Sequence, residues 1–228
     1  MKCQVNKPSI LLNVYRVLYE LNGSLKWWPG DTDFEVCVGA ILTQNTSWTN
    51  VEKAISNLKQ NKLMEIDKVL NSKLEDIAKL IRPAGYFNQK AFYLKEFCKF
   101  LQIHSLFSIK SLEMNDARDL LLGVKGIGKE TADSIMLYAL GFPIFVIDAY
   151  TKRIFSRLGI ISESNSYDVI QALFMKNLIT DVDLFNDYHA QIVELGKNYC
   201  GKKPNCKVCP LRINELCFCL SKVTKAKS

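Results

Sequence analysis

Apolar residues recur along the chain at intervals of three and four. Ile10, Leu11, Val14, Val17 and Leu18 form one stripe, Phe34, Val38, Ile41 and Leu42 a second, Ile55 and Leu58 a third. Leu74, Ile77, Leu80 and Ile81 follow, then Phe92, Phe97, Phe100 and Leu101. This spacing gathers apolar side chains on one face of an α-helix. Breaks fall where Gly and Pro cluster, at WWPGDTD, RPAGYFN, KGIGKE and ALGFP. Alternation of period two is nearly absent, since IFVID (144–148) is short and runs into another helical pattern. The pattern predicts an all-α chain of about ten helices with short connections. Asp31-Thr32-Asp33 sets an acceptor and acids ahead of FEVCVGAIL. Asn115 or Asp116 is expected to open ARDLLLGV, and Gly123 to close that helix in the left-handed conformation. Asp148 falls at the mouth of the helix AYTKRIFSRLG.

Composition changes this picture little. Hydrophobic residues make up 48% and charged residues 23%, as in a globular protein. No run of about 18 apolar residues occurs, so no membrane span is expected. The N-terminus lacks the continuous apolar stretch and cleavage site of a signal peptide, which suggests an intracellular, cytoplasmic protein. A net charge of +7 suits a polyanionic partner and equally suits a basic enzyme. The cysteines say more. Of eight, Cys200, Cys206, Cys209, Cys217 and Cys219 crowd the end of the chain. In an intracellular protein such crowding favours metal ligation over disulfides.

The stretch GVKGIGKETADSI (123–135) carries two incompatible patterns. Gly123-x4-Gly128-Lys129 begins like a phosphate-cradling P-loop, but Glu130 occupies the position where that motif needs a Ser or Thr hydroxyl on Mg²⁺. A P-loop also follows a strand, whereas DARDLLLGV has helical spacing. The other pattern is helix, Gly-Ile-Gly turn, helix. Two glycines allow a tight turn with bare backbone N–H groups, which together with the start of the next helix can hold a phosphate oxygen. Such donors read no base sequence. An ordinary corner between two helices has the same glycines, and an Asp at a helix mouth is commonly a plain N-cap.

Taken in order, LLGVKGIGKETAD followed by VIDAYTKRIFSRLG resembles the helix-hairpin-helix, Gly/Pro-rich loop and Asp signature of the endonuclease III superfamily of DNA glycosylases. GAILTQNTSWTNVEKAI, IRPAGYFNQKAFYL and HAQIVELGKNYC extend the resemblance from about residue 30 to 217. It implies two helical subdomains with a cleft between them: a six-helix barrel over 30–137, and a second unit from 1–29 plus 138–228. It implies double-stranded DNA containing damaged bases as partner, engaged by a monomer associated with the nucleoid. Asp148 would be the catalytic carboxylate. Gln44 would fill the gap left by a flipped base, Asn88 with its loop would press the opposite strand, and Gly126, Gly128, Lys129 and Thr131 would hold the DNA backbone.

Members with lyase activity carry a Lys nucleophile where this chain has Glu130, and a carboxylate forms no imine. Lys129 is one residue away, but one helical step turns a side chain by about 100°. The chain therefore resembles monofunctional members, most of all the 3-methyladenine DNA glycosylase III type. Trp27 and Trp28 would wall a pocket for an alkylated, cationic purine, or else staple the barrel shut. His104 and His189 receive no catalytic role. Cys200-x5-Cys206-x2-Cys209-x7-Cys217 resembles the superfamily's [4Fe–4S] loop, one residue shorter and two longer in its outer intervals. Cys219 is an alternative fourth ligand, and zinc or no metal are the competing assignments. Two other functions remain open at this level: a bifunctional glycosylase with AP-lyase activity on oxidised pyrimidines, and a non-catalytic DNA-binding module.

Overall fold

The structure, a computed structural model, describes residues 7–25, 28 and 30–217, apart from the side chains of 7–9. It is all-α, with no strand among the described residues. The helices are α1 (Lys7–Asn22), α2 (Asp33–Leu42), α3 (Trp48–Gln60), α4 (Ile66–Asn71), α5 (Leu74–Leu80), α6 (Phe87–Ile103) and α7 (Leu106–Lys110). They continue with α8 (Met114–Leu122), α9 (Lys129–Ser134), α10 (Ala149–Arg157), α11 (Tyr167–Asn177), α12 (Val182–Asn198) and α13 (Pro210–Ile213). A 3₁₀ turn at Arg82–Ala84 precedes α6, and a π turn at Ile135–Ala139 prolongs α9. The excess over about ten helices comes from short elements such as α4, α7 and α13, of 6, 5 and 4 residues. Elements of one turn or so leave no periodic trace in a sequence.

Two compact units emerge: Trp28–Phe142, and Met1–Trp27 with Pro143–Ser228. In the first, every residue of α2 from Phe34 to Leu42 is buried. A helix apolar all round belongs at a centre, and α2 packs against α3, α6, α9 and the π turn. Val38, Ile41, Leu42, Leu94, Phe97 and Ile135 are fully buried there, each such side chain contributing about 1.5–3 kcal/mol. The start of α2 is capped as its sequence suggests. Thr32 Oγ1 accepts from Glu35 N at 3.1 Å, and Glu35 accepts from Asp31 N at 3.2 Å and from Lys59 Nζ at 2.6 Å.

The helix α8 departs from expectation at both ends. Its N-cap is Glu113, which makes no side-chain cap bond, rather than Asn115 or Asp116. Gly123 is right-handed at φ −69°; the left-handed residue of the turn is Gly126, at φ +90°. Arg118 locks α8 onto α9 through a bidentate pair with the fully buried Asp133, at 2.7 and 3.0 Å.

The second unit closes on the aromatic residues Phe145, Phe155, Phe174, Phe185 and Tyr188, all fully buried. Tyr188 OH donates to the Leu11 carbonyl at 2.7 Å and ties α12 to α1. Asp187 accepts from Leu25 N at 2.6 Å and Tyr15 OH at 3.1 Å, fixing the segment after α1 on the same helix. No helix is long and apolar enough to cross a membrane among the described residues.

Candidate active site

Within the Trp28–Phe142 unit the hairpin turn is built on α6. A methyl group on Gly126 would come within 2.2 Å of Tyr93 Cγ, so the ring and the turn meet only because Gly126 has no side chain. Gly128 differs: its backbone is extended and open space lies where a Cβ would stand. Ile127 between them is buried and anchors the turn. Gln44 belongs to this assembly, its Nε2 donating to the Gly126 carbonyl at 2.9 Å and to Thr131 Oγ1 at 3.0 Å. Thr131 is buried, whereas Lys129 and Glu130 are exposed on the first turn of α9. Asn88 is exposed at the start of α6, and the residue standing out most from its loop is Tyr86, left-handed at φ +45° and 68% exposed.

Trp28 lies in the same unit, tilted on Tyr138 with ring centroids 4.7 Å apart and edge-on to Trp48 at 4.9 Å. A Cβ on Gly39 would sit 3.1 Å from Trp28 Nε1 and 3.3 Å from the Trp48 ring, so that glycine admits the pair. Tyr138 comes from the π turn, a helix irregularity that re-aims side chains. Trp27 lies outside the described residues.

Asp148, in the other unit, is the N-cap of α10. Its Oδ1 accepts from Thr151 N at 2.7 Å and Thr151 Oγ1 at 2.8 Å. Its Oδ2 lies 3.6 Å from His189 Nε2 on α12, and only 12% of the carboxylate side chain is exposed. Burial pushes the Asp148 carboxyl up, but His189 and the Thr151 donors together outweigh it and hold it below the usual carboxylate range. The group is thus an anion fixed at a helix mouth, where the helix dipole also favours negative charge. It can stabilise positive charge developing opposite it.

Sequence reasoning left His189 without a role and did not single out Lys90, which is 2% exposed on α6. A signal existed for both. Phe185, His189 and Ile192 share one buried face of α12, and Lys90 falls on the Phe87, Ala91, Leu94 side of α6. Polar groups on an apolar face need partners.

The cysteine loop follows α12. Arg153 Nε donates to the Cys200 carbonyl at 2.8 Å, and Arg157 to the Gly201 carbonyl at 2.7 Å with Cys200 Sγ 3.2 Å away. The Cys209 thiol is pushed up by burial, with the neighbouring Cys200 and Cys206 adding to the effect. Those thiols suit iron or zinc chemically. Their arrangement is not that of a closed site, for among the described residues no group of three or more Cys, His, Asp or Glu stands ready to hold a metal ion. Cys219 lies outside the described residues.

Comparison with known proteins fits this geometry. Residues 38–179 match the family model of the HhH-GPD superfamily base excision DNA repair proteins. The chain is 48% identical to a Methanocaldococcus jannaschii protein provisionally named as a DNA repair glycosylase, over 95% of this chain and 99% of that one. It is 32% identical to endonuclease III of Sulfolobus acidocaldarius, over 78% of this chain and 79% of its relative. The crystal structure of H. pylori 3-methyladenine DNA glycosylase (MagIII) bound to 1,N6-ethenoadenine superposes with a TM-score of 0.71 at 30% identity, covering 84% of this chain and 97% of that one. An all-α fold with this hairpin, and a family match over most of its length, make the chain a DNA glycosylase of the HhH-GPD base excision repair superfamily.

Proposed function

We propose that the protein is a monofunctional glycosylase that hydrolyses the N-glycosidic bond of alkylated purines, such as 3-methyladenine, flipped out of double-stranded DNA. What supports this reading is Asp148 at the N-cap of α10, its carboxylate accepting from Thr151, together with the presence of a carboxylate, Glu130, where the resemblance places the lyase nucleophile. A purine methylated at N3 or N7 is already cationic, so it leaves neutral, taking the electrons of the C1′–N bond. Asp148 stabilises the oxocarbenium-like sugar and orients the water whose oxygen bonds to C1′, the water's proton passing to Asp148 or solvent. No acid is needed for such a leaving group.

The target must be rotated out of the stack. In this reading the amides of the Gly126 turn, Lys129 and Thr131 hold the phosphates of the strand, Gln44 fills the vacated place, and Asn88 with Tyr86 presses the opposite strand. Trp28, with Trp48 and Tyr138, stacks on the extruded base, worth about 1–3 kcal/mol per base and more for a cation. The H. pylori relative's ethenoadenine is an alkylated purine too. The barrel over 30–137 and the second unit from 1–29 plus 138–228 remain the domain division we favour.

Single-lesion duplexes containing 3-methyladenine, 7-methylguanine, 1,N6-ethenoadenine, hypoxanthine, uracil or thymine glycol test the assignment. The expected result is release of the cationic bases 3-methyladenine and 7-methylguanine in preference to the neutral lesions. Excision of thymine glycol alone would replace this reading with the oxidised-pyrimidine enzyme, and binding without excision would leave a DNA-binding module.

We also propose that Cys200, Cys206, Cys209 and Cys217 hold a structural [4Fe–4S] cluster, supported by the spacing of four thiols in one loop and by that loop's resemblance to the superfamily's. Breaking a glycosidic bond requires no redox step, so no part of the reaction is routed through it. Protein purified without oxygen is expected to contain iron and acid-labile sulfide; zinc without iron would overturn this assignment.

A further inference from the structure

Lys90 is a buried cation in the first turns of α6, yet it serves none of the roles above. Its Nζ donates to the Leu42 carbonyl and to the Ala84 carbonyl, both at 2.8 Å. Leu42 is the last residue of α2, and Ala84 the last of the 3₁₀ turn. One ammonium therefore closes two buried helix-end carbonyls that helix geometry leaves without partners. Within three residues of each end the chain turns through a left-handed residue with a full side chain, Asn45 at φ +54° and Tyr86 at φ +45°. Such backbone persists only where its surroundings impose it. Gln44, Asn45, Tyr86, Gln89, Lys90 and Tyr93 line one recess of about 220 Å³.

We infer that Lys90 is a positioning residue, which sets the spacing of the two loops that enter DNA, 43–47 and 85–88, by bracing the backbone from which each departs. This rests on the proposed role of those loops. Gln44 is bound in turn to Gly126 and Thr131, so Lys90, the gap-filling loop and the phosphate-gripping turn form one frame. Met would fill the same space without a buried charge, but would leave the Leu42 and Ala84 carbonyls without their donor. Burial pushes the Lys90 ammonium down to about 8, so the charged form is retained at neutral pH at some expense in stability. Where a local rule is broken in this way, a functional constraint is the usual cause.

The test uses the whole protein and a lesion duplex carrying 2-aminopurine opposite the lesion, whose fluorescence rises when the pair is opened. Lys90→Met keeps the stem and removes the donors. It is expected to bind undamaged duplex like the wild type and to stay folded while melting somewhat lower, since two buried carbonyls lose their donor, to lose the fluorescence rise, and to slow single-turnover excision by about a hundredfold, as small misplacements do. Lys90→Gln is the second variant, since it keeps one donor on a shorter stem and cannot span both carbonyls. The same selective loss is expected. If Lys90→Met does not fold, Lys90→Gln decides. Variants that open the pair and excise like the wild type overturn the inference while leaving the glycosylase reading intact. A wild type that excises no lesion overturns that reading itself, and this inference with it.

Discussion

Asp148→Asn is expected to abolish base excision while leaving DNA binding and the fold in place. Asparagine is nearly isosteric and also a good N-cap, so its Oδ1 keeps the bonds from Thr151 N and Oγ1 that start α10. Only the charge is lost. With it goes the attraction for positive charge developing at the sugar, in a site that is mostly covered. Removing one such electrostatic contribution costs about 10²–10³ in rate, and here the group also orients the water, so a loss at or above the top of that range is expected. The depressed pKa adds a pH signature. Because His189 and Thr151 hold the folded carboxylate below its unfolded value, its contribution to stability is present above about pH 3.9 and is lost as pH falls through the folded pKa. Wild-type excision should accordingly persist into acid beyond the usual carboxylate range. Wild-type protein should also outlast Asp148→Asn in thermal melts at neutral pH, with the difference closing in acid. Single-turnover excision and melts across pH check both statements. Undiminished turnover by Asp148→Asn would remove this residue from the mechanism.

Gly126→Ala is expected to be the most damaging substitution in the hairpin. Two penalties coincide at that residue: the left-handed φ of +90° and the approach of a new Cβ to within 2.2 Å of Tyr93. Strained backbone costs about 1–3 kcal/mol and overpacking a further 1–3 kcal/mol or so. The turn must therefore move or the protein lose several degrees of melting temperature, and binding to DNA of any sequence should weaken together. Gly128→Ala is the control two positions away. Its backbone is extended and its surroundings open, so stability should change by no more than about 0.5 kcal/mol. Adding Tyr93→Ala to Gly126→Ala should recover the share of the loss that comes from the ring, since contacting sites are not additive. Equal melting of the two glycine variants would show that the turn is not seated on Tyr93.

The comparison of these glycines shows what could be read from the sequence. Gly123, Gly126 and Gly128 all mark a turn, and the sequence places the turn correctly. Which of them must lack a side chain depends on Tyr93, an aromatic ring from another helix, and no local pattern reports that contact. Asp148 was legible because an apolar run ends there and a helical pattern begins, which fixes its place at the cap. Its partnership with His189 was not, because that residue lies on α12, a separate helix far along the chain, and only packing brings the two together. Lys90 illustrates the opposite case. Its place on an apolar stripe was visible, but the carbonyls that receive it belong to the ends of other elements. The fold class needed only periodicity. The site needed periodicity plus contacts between elements.

The central claim is that an aspartate acts here without a partner amine, and borohydride treatment during turnover on the lesion duplex found to be the best substrate tests it most directly. The account expects free base, an abasic strand that breaks only after alkali, and no protein joined to DNA. A covalent protein–DNA adduct trapped in good yield would mean that an amine attacks the sugar, and would contradict the account.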